Sequence, residues 1–268
     1  MNVLITGAAS GIGRAAAVYF ADRHHNVFGI DRTPMAQGQN FCGITADITD
    51  EASLLRVRQA LTEQGITLDA IVNVAGMHMM ASLVESDCQS MKKIVDINLS
   101  GTLLVNRVFY RCLKENGRII IVTSEVASLA PLPFNGLYSV TKTALDAYAQ
   151  ALRQELNLFG QKVITVRPGA VETPLSHGSV KATAELADRT VLYKKQAKNF
   201  SGLAAKFMGK PIKPETLAAV LYRAATAKHP KLVYQKNRNV GLVLLNVLPK
   251  RLQCAVIKLL LKFDWFCA

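Results

Sequence analysis

Seven short apolar runs, residues 3–6, 26–31, 41–46, 69–73, 117–123, 162–167 and 231–234, alternate with stretches whose apolar residues recur at helical spacing, 11–24, 51–64, 88–115, 134–159 and 213–228. Strand-helix alternation of this kind predicts a doubly wound α/β fold, a parallel sheet with helices on both faces joined by right-handed crossovers. A chain of 268 residues with 50% hydrophobic content is long enough to close one full core, so a single domain over 1–268 is expected. Residues 174–211 fit neither period and read as an insertion, with 174–212 placed as a lid over a substrate and 240–268 as a basic, apolar helical extension.

The first strand runs into Thr6-Gly7-Ala-Ala-Ser10-Gly11-Ile12-Gly13, which opens the first helix. Glycines in that position allow a tight turn and a close backbone approach to a pyrophosphate, whose charge meets free N–H groups at the helix start. A glycine-rich turn alone could be an ordinary turn; its place after the first strand points to a dinucleotide site. Asp31 ends the second strand eighteen residues after Gly13, where a carboxylate accepts hydrogen bonds from ribose hydroxyls and repels a 2′-phosphate. NAD is therefore expected over NADP, although Arg32 next to it could pair with such a phosphate.

Taken in order, Thr-Gly-x-x-x-Gly-x-Gly at 6–13, Asp47-Ile48, Asn73-Val-Ala75-Gly76, Asn98, Tyr138-x-x-x-Lys142 and Pro168-Gly169-x-Val171-x-Thr173 resemble the short-chain dehydrogenase/reductase family over about residues 1–175. The resemblance implies a Rossmann fold with a seven-stranded parallel sheet in the order 3-2-1-4-5-6-7, an NAD(P)-dependent oxidoreductase acting on CH–OH groups, and a homodimer or homotetramer. It implies that Gly7, Ser10, Gly11, Ile12 and Gly13 hold the cofactor phosphates, that Asp47 and Ile48 contact the adenine, and that Asn73, Ala75 and Gly76 line the cofactor. It further implies that Pro168, Gly169, Val171 and Thr173 border the nicotinamide, with Thr173 on its carboxamide, and that Asn98 anchors a water in a proton relay. Asn73 could instead tie loops together and Asn98 break a helix.

Tyr138 and Lys142 are four apart in a predicted helix, so they share a face. A phenol titrates near a pKa of about 10, and a neighbouring ammonium is expected to favour phenolate and bring it towards a useful range. Tyr138 would take a proton from an alcohol or give one to a ketone, and Lys142 would also bind the nicotinamide ribose. The hydroxyl partner is open between alignments: Ser124 lies fourteen residues before Tyr138, Glu125 thirteen, and Ser128 is a third candidate. Ser124 is preferred, because a carboxylate facing a developing alkoxide opposes the reaction.

Pro131-Leu-Pro-Phe134-Asn-Gly136 resembles the steroid and retinoid branch of the family and suggests a hydrophobic secondary alcohol or its ketone. Phe134, Leu175, Leu186, Val191, Leu192, Tyr193, Phe200, Leu203, Phe207 and Met208 could form an apolar lid over it, or could pack the insertion onto the core. By position Met77 and His78 are expected to border this pocket, with His78 read as an exposed loop residue. A non-catalytic NADH-binding scaffold is the competing function. An enoyl reductase is disfavoured by the short tyrosine-lysine spacing, a sugar-nucleotide epimerase by the short C-terminal region.

Five cysteines without metal-ligand spacing argue for a reducing compartment, and the opening strand leaves no room for a secretion signal, so the cytoplasm is expected and no metal is. The net charge of +13 lies wholly in residues 181–268, which carry 17 Lys and Arg against 4 Asp and Glu. This is either a solvated basic face or one drawn to an anionic membrane; no nucleic-acid motif accompanies it. In the tail, Arg251, Lys258 and Lys262 share a helical face among Leu and Ile, a pattern that suits a peripheral membrane helix or a docked one.

Overall fold

The computed structural model describes residues 1–207 and 209–263, the side chain of Phe207 excepted. Expectations for Phe207, Met208 and Cys267 lie outside what it describes. Seven strands form one sheet: β1 (Asn2–Thr6), β2 (Asn26–Asp31), β3 (Phe41–Thr45), β4 (Leu68–Asn73), β5 (Leu113–Val122), β6 (Lys162–Pro168) and β7 (Val233–Lys236). Their order is β3-β2-β1-β4-β5-β6-β7 and every pairing is parallel, as expected.

Side chains that alternate along each strand feed two cores. Leu4, Ile71, Ile119, Ile121 and Val163 face α2 (Glu51–Glu63), α4 (Gly101–Phe109) and α5 (Gly136–Asn157). Val3, Ile5, Val72, Ile120 and Ile164 face α1 (Gly11–Ala21) and α9 (Pro214–Thr226). Both faces are covered, which is why the strands read as almost unbroken apolar runs.

The predicted helix over 88–115 is divided. α3 (Cys88–Val95) passes through a π-helical turn at Asp96–Ser100 into α4, and the chain turns at Tyr110–Cys112 into a strand that begins four residues earlier than expected. The insertion, read as lacking a regular period, folds into α6 (Pro174–Ala184), α7 (Leu186–Arg189) and α8 (Lys194–Phe207). Short helices that pack on one another show no long periodic stripe, so the pattern was not visible. Pro249 divides the C-terminal extension into α10 (Val240–Val247) and α11 (Lys250–Lys262).

The crevice for a ligand lies at the carboxyl edge, where β2 and β4 leave β1 on opposite sides. α1 must sit close against the sheet to present its N-terminus there. Phe20 holds it: the ring is fully buried and lies 5.2 Å from Tyr222 of α9. Phe20→Ala is expected to cost roughly 3–5 kcal/mol, seen in urea unfolding as a lower midpoint with an unchanged slope.

Candidate active site

The turn at 6–13 is built for close approach. Gly7 and Gly11 take φ of 72° and 52°, and a Cβ on Gly13 would sit 2.0 Å from the Gly7 carbonyl oxygen. Asp31 closes the turn from β2: Oδ2 accepts from Ala9 N at 3.1 Å and Oδ1 from Thr33 N at 3.0 Å. Thr6 Oγ1 accepts from Val74 N and Ala75 N, fastening the loop after β4 to the end of β1.

From this turn a cleft of about 560 Å³ runs to Tyr138. Gly7, Ser10, Gly11, Ile12 and Gly13 line its first part together with Asp31, Arg32, Asp47 and Ile48. Ala75, Gly76, Pro168, Gly169, Val171 and Thr173 line its middle, and Ser124, Tyr138 and Lys142 its far part. Thr173 N-caps α6 in a reciprocal pair with Ser176, which fixes the cleft edge. Asp47 Oδ1 accepts from Thr49 N and Oγ1, holding the loop after β3.

Asn73 and Asn98 do not line the cleft. Asn73 Nδ2 donates to Asn106 Oδ1 at 2.8 Å, and Asn106 Nδ2 donates to the Tyr148 hydroxyl, so Asn73 links β4 to α4 and α5. Asn98, fully buried in the π turn, accepts from Met77 N at 2.7 Å through Oδ1. Its Nδ2 donates to Met77 O at 2.9 Å and to Thr141 Oγ1 at 3.1 Å. It therefore joins the loop after β4 to α5 one residue before Lys142, and the π turn is what points the amide there.

Ser124 and Glu125 part company at the end of β5. Buried Ser124 lines the cleft with Tyr138 and its Oγ accepts from Val126 N at 3.4 Å, whereas Glu125 Oε2 accepts from Asn239 N at 2.6 Å, towards the C-terminal extension. Burial raises the Glu125 carboxyl, opposed by that backbone bond and by Arg238. Ser128 is turned back onto the Glu125 carbonyl, to which its hydroxyl donates.

Lys142 does not bring the Tyr138 phenol down. Burial pushes the phenol up to about 12, against the hydrogen bond from Ser124 and helped by the negative charge of Glu125. Burial also brings Lys142 down to about 8; Nζ donates to Val122 O at 3.2 Å and stands 5.8 Å from the phenol ring centroid. Desolvation leads both shifts because both groups are withdrawn from water. The phenol of this cleft is thus a held proton, suited to donation.

His78 is not an exposed loop residue. It is half-buried, lines the cleft and packs on Tyr138 with ring centroids 4.4 Å apart. Burial holds its imidazole neutral with a pKa down to about 4, offset by Asn135 and reinforced by Lys142. His78 Nδ1 and Asn135 Oδ1 are both buried without a hydrogen bond of good geometry. A place five residues after Asn73, in the loop leaving the carboxyl end of β4, was the available signal. Among the described residues, no group of three or more His, Cys, Asp or Glu is placed to hold a metal ion.

The short chain dehydrogenase family profile matches residues 1–184. The chain belongs to that family. A NADPH-dependent 1-acyldihydroxyacetone phosphate reductase of Schizosaccharomyces pombe is 31% identical over 192 residues, which cover 69% of this chain and 64% of that protein. Serine 3-dehydrogenase of Agrobacterium fabrum is 30% identical over 201 residues, 72% of this chain and 80% of that protein. In fold, a short chain dehydrogenase family protein of Francisella tularensis superposes with a TM-score of 0.74 at 22% identity, covering 87% of this chain and 96% of the other. A 3-ketoacyl-(acyl-carrier-protein) reductase of Brucella melitensis, complexed with NADH, gives 0.70 at 24% identity, covering 87% and 95%. The chain is accordingly an oxidoreductase of this family.

A dinucleotide fits the residues present. Gly7 and Gly11 line the cleft with positive φ, Gly13 lets the start of α1 lie directly against the Gly7 carbonyl, and Thr123 Oγ1, on the cleft wall, is buried without a partner. The charge of Lys142 meanwhile costs stability. Its pKa in the fold lies below the ordinary lysine value of 10.5, so the unfolded chain binds the extra proton between about 8 and 10.5, and stability rises with pH through that window. Lys142→Met is expected to be more stable than the parent at pH 7 by on the order of 3 kcal/mol, the gap closing between pH 8 and 10.5 when thermal midpoints are compared.

Proposed function

We propose that this oxidoreductase interconverts a largely hydrophobic alcohol and its carbonyl compound, a secondary alcohol of steroid type with its ketone or a primary one of retinoid type with its aldehyde, with NAD preferred over NADP. The observation that carries the reading is the convergence of Ser124, Tyr138 and Lys142 at one end of a cleft whose other end is the glycine turn and Asp31. A bound nicotinamide dinucleotide would supply or accept the hydride. Tyr138 gives its hydroxyl proton to the oxygen of the carbonyl being reduced, or takes the alcohol proton in the reverse direction. Ser124 donates to the same oxygen and sets its distance from Tyr138. Lys142 holds ribose hydroxyls and restores positive charge behind the phenol. Asn98 acts through Thr141 and Met77 by keeping α5 and the loop after β4 in register.

The preference for NAD rests on Asp31, whose carboxylate borders the ribose end of the cleft and would oppose a 2′-phosphate. Arg32 lines the same region and continues, with Lys92 and Lys93, into a neighbouring depression of about 640 Å³, so paired titrations with NAD and NADP are the direct measurement. For the substrate, Leu175 is the member of the expected lid that reaches the cleft. Phe134, Leu186 and Phe200 pack with Tyr193 and Leu203 into a third core, and Val191 and Leu192 face solvent. His78 Nδ1 and Asn135 Oδ1 give this end unpaired polar atoms, which favours a substrate bearing a second hydroxyl or carbonyl.

A cytoplasmic location goes with this reading, since Cys42, Cys88, Cys112 and Cys254 are all free thiols. So does a homodimer or homotetramer, for which β7 leaves an open sheet edge.

Steroids, retinols and aliphatic alcohols offered with NAD should give growth of reduced-cofactor absorbance for at least one class. Tyr138→Phe should lower kcat roughly 10³-fold while reduced-cofactor fluorescence still reports binding; Tyr138→Phe working as well as the parent removes the proton role. Ser124→Ala should abolish turnover and Glu125→Ala should not, the reverse result assigning the role to Glu125. Tight NADH binding without turnover of any alcohol or ketone would establish the scaffold reading instead.

A further inference from the structure

No residue of α10 is buried. Its outward positions, Val240, Leu244 and Val247, are 69%, 64% and 78% exposed and follow one another at steps of four and three, so they form one apolar ridge. The opposite side is tied down: Asn239 caps the helix, and Asn246 Oδ1 accepts from Ala130 N at 2.6 Å. In α11, Gln253 donates to Leu248 O, while Ile257 and Leu261 pack into the core formed by Phe134 and Phe200. That leaves Arg251, Leu252, Lys258, Leu259 and Lys262 outward, with the two leucines about half exposed. Two consecutive helices thus present exposed Val and Leu, on α11 interleaved with Arg251, Lys258 and Lys262, and residues 216–263 contain no Asp or Glu.

We infer that α10 and α11 dock the protein on an anionic lipid surface. The chemistry is that of an interfacial helix pair: apolar side chains enter the headgroup boundary and cations meet lipid phosphates and carboxylates. Neither helix is long and apolar enough to cross a bilayer, so the pair lies along the surface. A second copy of this chain is a poorer occupant. A two-fold contact would set Arg251, Lys258 and Lys262 against their own counterparts with no carboxylate from these helices between them.

The inward sides of the two helices adjoin the substrate end of the cleft. Glu125, on the cleft wall, accepts from Asn239 at the start of α10, and Leu261 packs in the same cluster as Phe134, next to cleft residue Asn135. If the proposed lipophilic substrate is correct, it reaches Tyr138 from the bilayer side. The docking itself rests on the helices alone and is tested without turnover.

The full chain is floated with vesicles of phosphatidylcholine and with vesicles of phosphatidylcholine plus phosphatidylserine. It should rise with the anionic vesicles, much less with the neutral ones, and be released by high salt. The double variants Leu244→Asp/Val247→Asp and Lys258→Glu/Lys262→Glu should each lower partition at least roughly tenfold with unchanged circular dichroism. Absence of flotation overturns the proposal, as does flotation that survives both variants. A dimer that Leu244→Asp dissociates, with no vesicle binding, assigns the ridge to a contact between copies.

Discussion

The active-site geometry hangs on one buried amide. Asn98 holds Met77 by both its backbone N–H and its carbonyl and reaches Thr141 on α5, so three separate pieces of chain meet at a single side chain. These are the loop after β4, the π turn between α3 and α4, and the helix that carries Tyr138 and Lys142. An amide suits the position because it offers both a donor and an acceptor and carries no charge to desolvate. Without the extra residue of the π turn the amide would lie about a quarter-turn away, and the loop would lose the hydrogen-bonded link to α5 that runs through Asn98 to Thr141.

Around that joint the fold accepts electrostatic cost. Lys142 and Tyr138 are both pushed away from their charged forms by burial, which is the opposite of what surface groups four apart on a helix would show. A phenol kept protonated and a lysine brought to about 8 are poorly suited to stabilising a protein and well suited to waiting for ligands that carry hydroxyls and developing charge. His78, neutral and tilted against the phenol ring, extends the same surface. The unpaired polar atoms at this end are affordable because the surrounding two cores, one on each side of the sheet, fix the backbone independently.

The C-terminal third uses the same edge differently. Glu125, which could have crowded the reacting oxygen, is drawn to the Asn239 backbone and becomes the fastening for α10. The insertion folds Tyr193 and Phe200 into a third core with Leu261, and among the described residues it lines the cleft through Pro174, Leu175, Ser176 and Ser179 of α6.

By itself the alternation of apolar runs and helical stripes determined a parallel sheet covered on both faces, because such patterns have few compact solutions, while the strand order was legible only through the resemblance of the ordered motifs to the short-chain dehydrogenase family. The sequence also determined the positions that gather along the cleft, since a glycine turn, Asp31 and Tyr138-x-x-x-Lys142 work through local geometry: a strand end, a helix start, one helical face. Only the tertiary structure decided what depends on distant neighbours. It turned Ser124 towards Tyr138 and Glu125 away, set Asn73 and Asn98 behind the cleft wall, drew His78 onto the phenol, and reversed the expected direction of the Tyr138 shift. Spacing along a chain records which groups can meet, but burial, which weighs desolvation against attraction, exists only once the chain has closed around them.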